Sequence, residues 1–333
     1  MVTLARRSIM TLSIAMTATG GVEVLKPARA DLPPPSAGEV RLRQTAIGVN
    51  FVDIYQRKGL YPVPAMPAVL GVEGAGVVEA VGADVRILRS GDRVAYAGLP
   101  LGGYAEARNL PASRLVRIPD SVQDHIAAAA MLRGVTAHML LYRVCPVRPG
   151  TVVLVHAAAG GLGLILTQWA KRLGATVIGT VGSHEKAELA VSHGLDHALL
   201  YRETDFVAEV RRLTDGAGVD VAYDGVGGET LTRTFDAVKP FGTIASIGQA
   251  SGTLPTIELG ELGPRRSLSI ARPSSFAYAN DPESYALAAT GLLEQLERGL
   301  KIKIGIELPL VEAAKAQAQL ETGATVGSIL LIP

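Results

Sequence analysis

Thr151-Val152-Val153-Leu154-Val155-His156-Ala157-Ala158-Ala159-Gly160-Gly161-Leu162-Gly163 is the stretch whose reading decides the fold. Its first half is an unbroken apolar run rich in valine, the pattern of a strand buried on both faces. From Leu162 to Leu173 the apolar residues recur at helical spacing, so the small residues from Ala158 to Gly163 sit between a strand and a helix. In that context they match a dinucleotide-binding fingerprint whose first glycine is replaced by Ala158. The chemistry demands small residues: a pyrophosphate rests on backbone N–H groups at a helix N-terminus, and a side chain would hold it away. Gly160, Gly161, Leu162 and Gly163 are therefore candidate cofactor contacts, and Gly163 also lets the helix approach the strand.

Thr176–Val181 reads as a second buried strand, which completes a βαβ unit. A fold that prefers NADH places Asp or Glu about 20 residues after the fingerprint, on the ribose 2'-hydroxyl. No acidic residue occurs from Thr151 to His184. Instead, Gly182-Ser183-His184-Glu185-Lys186 offers a hydroxyl, a helix start and a cation, and these favour NADPH through its 2'-phosphate. Ser183 and Lys186 are the residues concerned.

Further along come a helix over Asp205–Leu213, a turn at Asp215–Gly218 and a strand over Val219–Tyr223. A turn at Pro240–Gly242 leads into a strand over Thr243–Ile247. Strands and helices alternating in this way give a doubly wound parallel sheet, so the fold class is α/β. Thr243–Ile247 is expected at the sheet edge, able to pair with its twin in a second subunit.

Between Glu39 and about Leu115 the style is different: short alternating segments such as Glu39–Arg43 and Gly76–Val81, broken by glycine and proline. This is the pattern of a small β-barrel-like domain. The glycines of Gly71-Val72-Glu73-Gly74-Ala75-Gly76 are expected to form tight turns between strands. After Arg272-Pro273, a helix over Glu283–Arg298, a strand-like Leu300–Ile306 and a final Gly327–Ile332 suggest that the tail rejoins the first domain. The expected organisation is 1–134, the first part of a catalytic domain; 135–273, an NADP-binding domain; and 274–333, the returning part.

The totals agree with this. A chain of 333 residues suits two domains, and 48% hydrophobic against 19% charged residues supports a fully folded chain. With 32 basic and 31 acidic residues no global field draws the chain to nucleic acid or an anionic membrane. The lone Cys145 can form no internal disulfide and no cysteine-rich zinc site, which fits a reducing cytoplasm. Arg6 and Arg7 before Ile9–Ala18 imitate a short signal peptide, but Thr11–Met16 also alternates as a strand, and a short leader before that strand is expected. Leu154–Ala170 contains His156, Gln168 and three glycines, a poor membrane span.

Two other motifs carry no function. Ser183-His184-Glu185-Lys186 spells S-x-x-K without its companion motifs. His193 and His197 are separated by a helix-ending Gly194 and have no third ligand. No G-x-S-x-G occurs.

Taken together with Ala46–Asp53, Gly59-Leu60-Tyr61-Pro62, Gly91-Asp92-Arg93-Val94, His156–Gly161, Gln168-Trp169-Ala170-Lys171, Gly179–Gly182 and Arg272-Pro273-Ser274, these residues resemble the quinone oxidoreductase branch of the medium-chain dehydrogenases and reductases. The likeness runs from about Gly20 to Pro333. It implies a GroES-like β-barrel domain built from both chain ends, a Rossmann domain, NADPH as cofactor and a homodimer. It also implies the absence of a catalytic metal, since Asn50 and Val72 stand where zinc-dependent relatives carry a cysteine and a histidine. Without a Lewis acid, alcohol oxidation loses a large contribution to its transition state, whereas an electron-poor quinone still accepts hydride.

Carried over by position, the resemblance places Asn50, Asp53 and Tyr61 on the nicotinamide side as cofactor-binding and catalytic candidates, with Thr136 nearby. It places Gly161 and Leu162 at the pyrophosphate, and Ser183, Lys186 and Tyr201 at the 2'-phosphate and its ribose. Ile247, Gly248, Arg272 and Ser274 would meet the rest of the cofactor. Asn50 and Asp53 could equally cap a turn, whereas Tyr61 beside Pro62 is expected to be exposed. Gly225, Gly323 and Ile247 depart from common family residues, which loosens the expected cofactor grip. Two alternatives stand beside the quinone reductase: an enoyl-thioester reductase and a non-catalytic NADPH-binding protein.

Overall fold

The computed structural model describes residues 7–333. Arg6 of the expected leader lies outside them. The chain divides into two compact units, Met1–Val135 with Phe276–Pro333, and Thr136–Ser275.

The first unit is built on a seven-stranded, mostly antiparallel sheet. Its spatial order is Ile304–Pro309, Ser328–Ile332, Glu39–Val49, Glu73–Val81, Arg93–Ala97 and Val116–Arg117, with Ala107–Pro111 paired to Glu39–Val49. The C-terminal strand lies antiparallel to Glu39–Val49, with Ile329 opposite Val49. Strand Ile9–Met16, which includes the expected Thr11–Met16, pairs with Lys26–Leu32 and Ala68–Val69 in a separate three-stranded sheet. Ile14, Met16, Leu70, Tyr104 and Leu331 close one core over these strands, each fully buried apolar side chain contributing roughly 1.5–3 kcal/mol.

Two expectations for this unit are corrected. Glu73-Gly74-Ala75-Gly76 forms no turn; it opens strand Glu73–Val81. Its glycines are there for close approach, since a Cβ on Gly76 would stand 2.1 Å from the Arg43 carbonyl oxygen. The strand expected at Leu300–Ile306 is displaced to Ile304–Pro309, where it pairs in parallel with Ser328–Ile332.

The second unit holds a six-stranded, wholly parallel sheet in the order His197–Leu200, Thr176–Val181, Val152–Val155, Val219–Asp224, Val238–Ser246, Ser269–Ala271. Numbered along this unit the order is 3-2-1-4-5-6, the doubly wound arrangement whose ligands sit at the carboxyl ends of the strands. Helices Gly161–Arg172, His184–Ser192 and Phe206–Leu213 connect the strands. Asp205 caps the third by accepting from the Val207 N–H at 2.9 Å.

Here too the structure corrects two details. Thr243–Ile247 is not at the edge: its strand lies between Val219–Asp224 and Ser269–Ala271, and the latter is the edge. Pro240–Gly242 does not precede the strand but bulges within it, and Phe241, at φ 65° and 87% exposed, points outward. Among the described residues no helix is long and apolar enough to cross a membrane.

Candidate functional site

In the second unit the Val152–Val155 strand ends in a tight turn in which Ala157 adopts φ 53°, a left-handed conformation that L residues rarely take. Gly160 is the N-cap of helix Gly161–Arg172, and no side chain caps it. The first N–H groups of this helix are thus left for a ligand, and no acidic residue stands in its first turn to compete. A Cβ on Gly163 would lie 2.4 Å from the Ala157 carbonyl oxygen, so this position admits no side chain without displacing the turn. The uncapped helix start and the bare glycine surface fit a pyrophosphate.

His156 braces the turn from below. Its Nδ1 lies 2.9 Å from Thr180 Oγ1 and its Nε2 2.8 Å from Thr234 Oγ1, tying three elements together. Burial pushes its pKa down to about 4, so the ring is neutral at pH 7. Beside it Asp224, fully buried at the end of its strand, accepts from the N–H groups of Val226 (2.7 Å) and Gly227 (3.1 Å) and so shapes the next loop.

Ser183 caps helix His184–Ser192 by accepting from the Lys186 N–H at 3.3 Å. Lys186 lies in the first turn, its pKa lowered by partial burial and then by the neighbouring Arg202. Tyr201 is 45% exposed and its phenol oxygen stands 3.3 Å from where a Gly182 Cβ would be. Ile247 and Gly248 follow the Val238–Ser246 strand, and Gly248 packs so closely that a Cβ would meet the Gly225 oxygen at 2.6 Å. Arg272 reaches back to Ser246 Oγ at 3.0 Å. Thr136 is half-buried in helix Asp124–His138, and Ser274 is exposed just past Arg272. Ser183, Lys186, Tyr201, Ile247, Gly248 and Arg272 all follow the carboxyl ends of parallel strands, alongside the glycine turn.

Asn50, Asp53 and Tyr61 belong to the first unit. Asn50 is the N-cap of helix Phe51–Arg57, and the Asp53 carboxylate accepts from its backbone N–H at 2.8 Å, one half of a capping box. Asp53 has no exposed surface. It also accepts from the Tyr104 hydroxyl at 3.0 Å, and burial pushes its pKa up to about 7. From this place it holds the start of the helix. Tyr61 is half-buried rather than freely exposed: its N–H bonds to the Tyr55 carbonyl (3.2 Å) and its ring meets the Tyr55 ring edge-on at 5.3 Å.

Behind Asn50 lies a buried charged group. The Asn50 amide donates to Glu73 Oε2 at 2.7 Å; Glu73 also accepts from the Leu132 N–H at 2.7 Å and pairs with Arg133 at 3.1 Å. Burial raises the Glu73 pKa, opposed first by Arg133. A Cβ on Gly48 would stand 2.1 Å from Glu73 Oε2, so only glycine fits there. Val72, like Asn50 a position where the resemblance implies a missing metal ligand, is a buried core residue. Among the described residues no group of three or more His, Cys, Asp or Glu could hold a metal ion.

A cavity of about 790 Å³ opens in the same unit, starting two residues past Tyr61. Val63, Ala68, Leu99 and Leu101 give it apolar walls, with Arg114 and Tyr285 alongside. Arg114 is held by the carbonyls of Ala97 and Ala279 at 2.7 and 2.6 Å and lies 4.4 Å from the Tyr285 ring centre. Tyr55, Glu73, Tyr104 and Gln317, whose amide donates to the Tyr104 hydroxyl at 3.3 Å, are participants that sequence reasoning missed. Glu73 sat inside a quoted segment and Tyr55 just past one, whereas nothing in the sequence signals the pairing of Tyr104 with Gln317.

Comparison with known proteins agrees with this architecture. Residues 36–120 match the model of the alcohol dehydrogenase GroES-like domain, and residues 161–290 that of the zinc-binding dehydrogenases. A quinone oxidoreductase of Pseudomonas aeruginosa is 44% identical over 321 residues, covering 96% of this chain and 99% of its own. Quinone oxidoreductase 1 of Escherichia coli is 40% identical over 318 residues, covering 94% and 97%. The crystal structure of the Escherichia coli quinone oxidoreductase complexed with NADPH superposes with a TM-score of 0.93 at 39% identity, over 97% of this chain and all of that one. With a GroES-like unit, a Rossmann unit and this identity along nearly its full length, the chain belongs to the quinone oxidoreductase family of the medium-chain dehydrogenases and reductases.

Proposed function

We propose that the chain is an NADPH-dependent quinone reductase. The observation that carries this is the uncapped helix start at Gly161–Gly163, with a hydroxyl and a cation but no carboxylate at the end of the next strand. When bound, NADPH supplies a hydride. The residues of this chain bind and orient it: Gly160, Gly161, Leu162 and Gly163 the pyrophosphate, Ser183, Lys186 and Tyr201 the 2'-phosphate and ribose, and Ile247, Gly248, Arg272, Ser274 and Thr136 the remainder.

On the acceptor side, Asn50 and Tyr61 are the residues we assign to contact, and Asp53 acts through Asn50 as a positioning residue. The cavity walled by Val63, Ala68, Leu99 and Leu101 suits the ring and apolar substituents of a quinone. Hydride addition to a quinone gives a delocalised phenolate-type anion that can take its proton from water, so no dedicated acid is required. Initial rates of NADPH oxidation test the reading, with 1,4-benzoquinone or 9,10-phenanthrenequinone set against crotonyl-CoA. Turnover with the quinones is expected; turnover with the thioester alone, or with no acceptor, overturns it.

We assign the protein to the cytoplasm, with its one thiol reduced. We also assign it a homodimer, paired through the edge strand Ser269–Ala271, beside which Phe241, Leu259 and Ile270 expose apolar surface.

A further inference from the structure

The turn after strand His197–Leu200 puts a second cation beside Lys186. This strand lies parallel to Thr176–Val181 with Leu200 opposite Val181, so both chains leave the sheet at the same rim. There the Tyr201 N–H bonds to the Val181 carbonyl at 3.3 Å, which seats its phenol over Gly182. The N–H groups of Glu203 and Thr204 both bond to the Leu200 carbonyl, at 2.9 and 3.0 Å, and close the turn. Glu203 reaches across to His184 at 3.3 Å, tying the turn to the first residue of helix His184–Ser192. Arg202 is therefore not a side chain on a free loop. Its guanidinium lies 5.7 Å from the Tyr201 ring centre, on the rim that carries Ser183 and Lys186.

We infer that Arg202 is a second cationic contact for the coenzyme's 2'-phosphate, and so a determinant of the preference for NADPH. The inference rests on the proposed cofactor role of the Ser183–Lys186 turn. The charged groups around this point are Lys186, Arg202, Glu185 and Glu203, with the His184 ring beside Glu203. Glu203 faces His184, and Glu185 acts on Lys186 less strongly than Arg202 does. Arg202 itself has no carboxylate within ion-pair distance among the described residues. The field of Arg202 opposes protonation of Lys186, and this mutual repulsion is relieved when an anion lies between them. A phosphate monoester answers that need. A guanidinium grips two of its oxygens at once, the ammonium supplies a point charge, and the Ser183 hydroxyl, which accepts from the helix, keeps its own proton to donate. The 2'-hydroxyl of NADH carries no charge and gains nothing from either cation.

The test is a fluorescence titration of the full chain with NADPH and with NADH, for wild type, Arg202→Ala, Arg202→Lys and Arg212→Ala. Arg202→Ala should raise the NADPH Kd roughly three- to tenfold, the size of one half-exposed charged contact, and leave NADH unchanged. The loss should shrink as salt is raised, and Arg202→Lys should restore part of it. Arg212, paired with Glu209 at 2.9 Å on another helix, is the control and should change neither cofactor. If wild type prefers NADPH and Arg202→Ala keeps the whole preference, or loses both cofactors equally, the role of Arg202 is overturned and the cofactor reading stands. If wild type shows no preference, both fall.

Discussion

Asn50 donates its side-chain amide to Glu73 at 2.7 Å, and because an ionised carboxylate can only accept, this one contact decides which way the amide faces. Arg133, at 3.1 Å from the same carboxylate, favours its charged form against the cost of burial. A buried ion pair thus orients a residue of the proposed acceptor side.

Glu73→Gln removes the charge that partners Arg133 and should cost stability, and it should lower turnover as well. A neutral amide can donate or accept, so Asn50 loses its single orientation while the space stays filled. We expect kcat/KM for quinone to fall about tenfold with little change in the NADPH Kd. Glu73→Ala likewise strands Arg133 and should destabilise the fold by about 3–5 kcal/mol, read by urea unfolding. Equal kcat/KM in wild type and Glu73→Gln would remove the orienting role.

Asp53 gives a prediction in pH. Its pKa is raised from 3.8 to about 7 in the folded protein, so between those values the native state holds a proton that the unfolded state has released. The stability this contributes is full below the unfolded pKa and is lost as pH rises through about 7. Asp53→Asn can still accept from Asn50 and Tyr104 but does not titrate. Relative to wild type, its stability should therefore rise by a few kcal/mol as the buffer is taken from acid, below the unfolded pKa, to mildly alkaline, above the folded one. Urea midpoints at the two ends check this; a flat difference would show that Asp53 titrates normally.

Gly163→Ala tests the close contact under the fingerprint. The added methyl meets the Ala157 carbonyl oxygen at 2.4 Å, so the turn or the helix must move. We expect about 1–3 kcal/mol lower stability and weaker binding of NADPH and NADH alike, since the pyrophosphate is common to both. Retention of full affinity would separate this turn from the cofactor.

Ile270→Pro tests the subunit assignment. Proline removes a backbone donor from the edge strand Ser269–Ala271 and blocks strand pairing there. Light scattering should report a dimer for wild type and half that mass for the variant. A monomeric wild type, or a variant that remains dimeric, contradicts pairing at this edge.

What the sequence made legible follows from the range of the interactions involved. Thr176–Val181 is legible to its exact ends and Val152–Val155 within two residues, because strands buried on both faces announce themselves as continuous apolar runs. The glycine turn is legible because its neighbours in sequence are also its neighbours in space. Gly74 and Gly76 read as turns because the reason for them, the close passage of Gln44 and Arg43 on another strand, is not local. The same holds for the sheet edge, which passes from Thr243–Ile247 to Ser269–Ala271 once strand order is known. At the proposed acceptor side, the family resemblance finds Asn50 and Asp53 but not that Asp53 is fully buried. Its partner Tyr104 lies 51 positions away, and Gln317, which donates to Tyr104, a further 213, separations no spacing rule covers.

Calorimetric titration of the purified chain with NADPH tests the central claim most directly. The account predicts one NADPH bound per chain, more tightly than NADH, with the preference reduced in Lys186→Ala. No heat of binding, or equal affinity for the two cofactors, would contradict it.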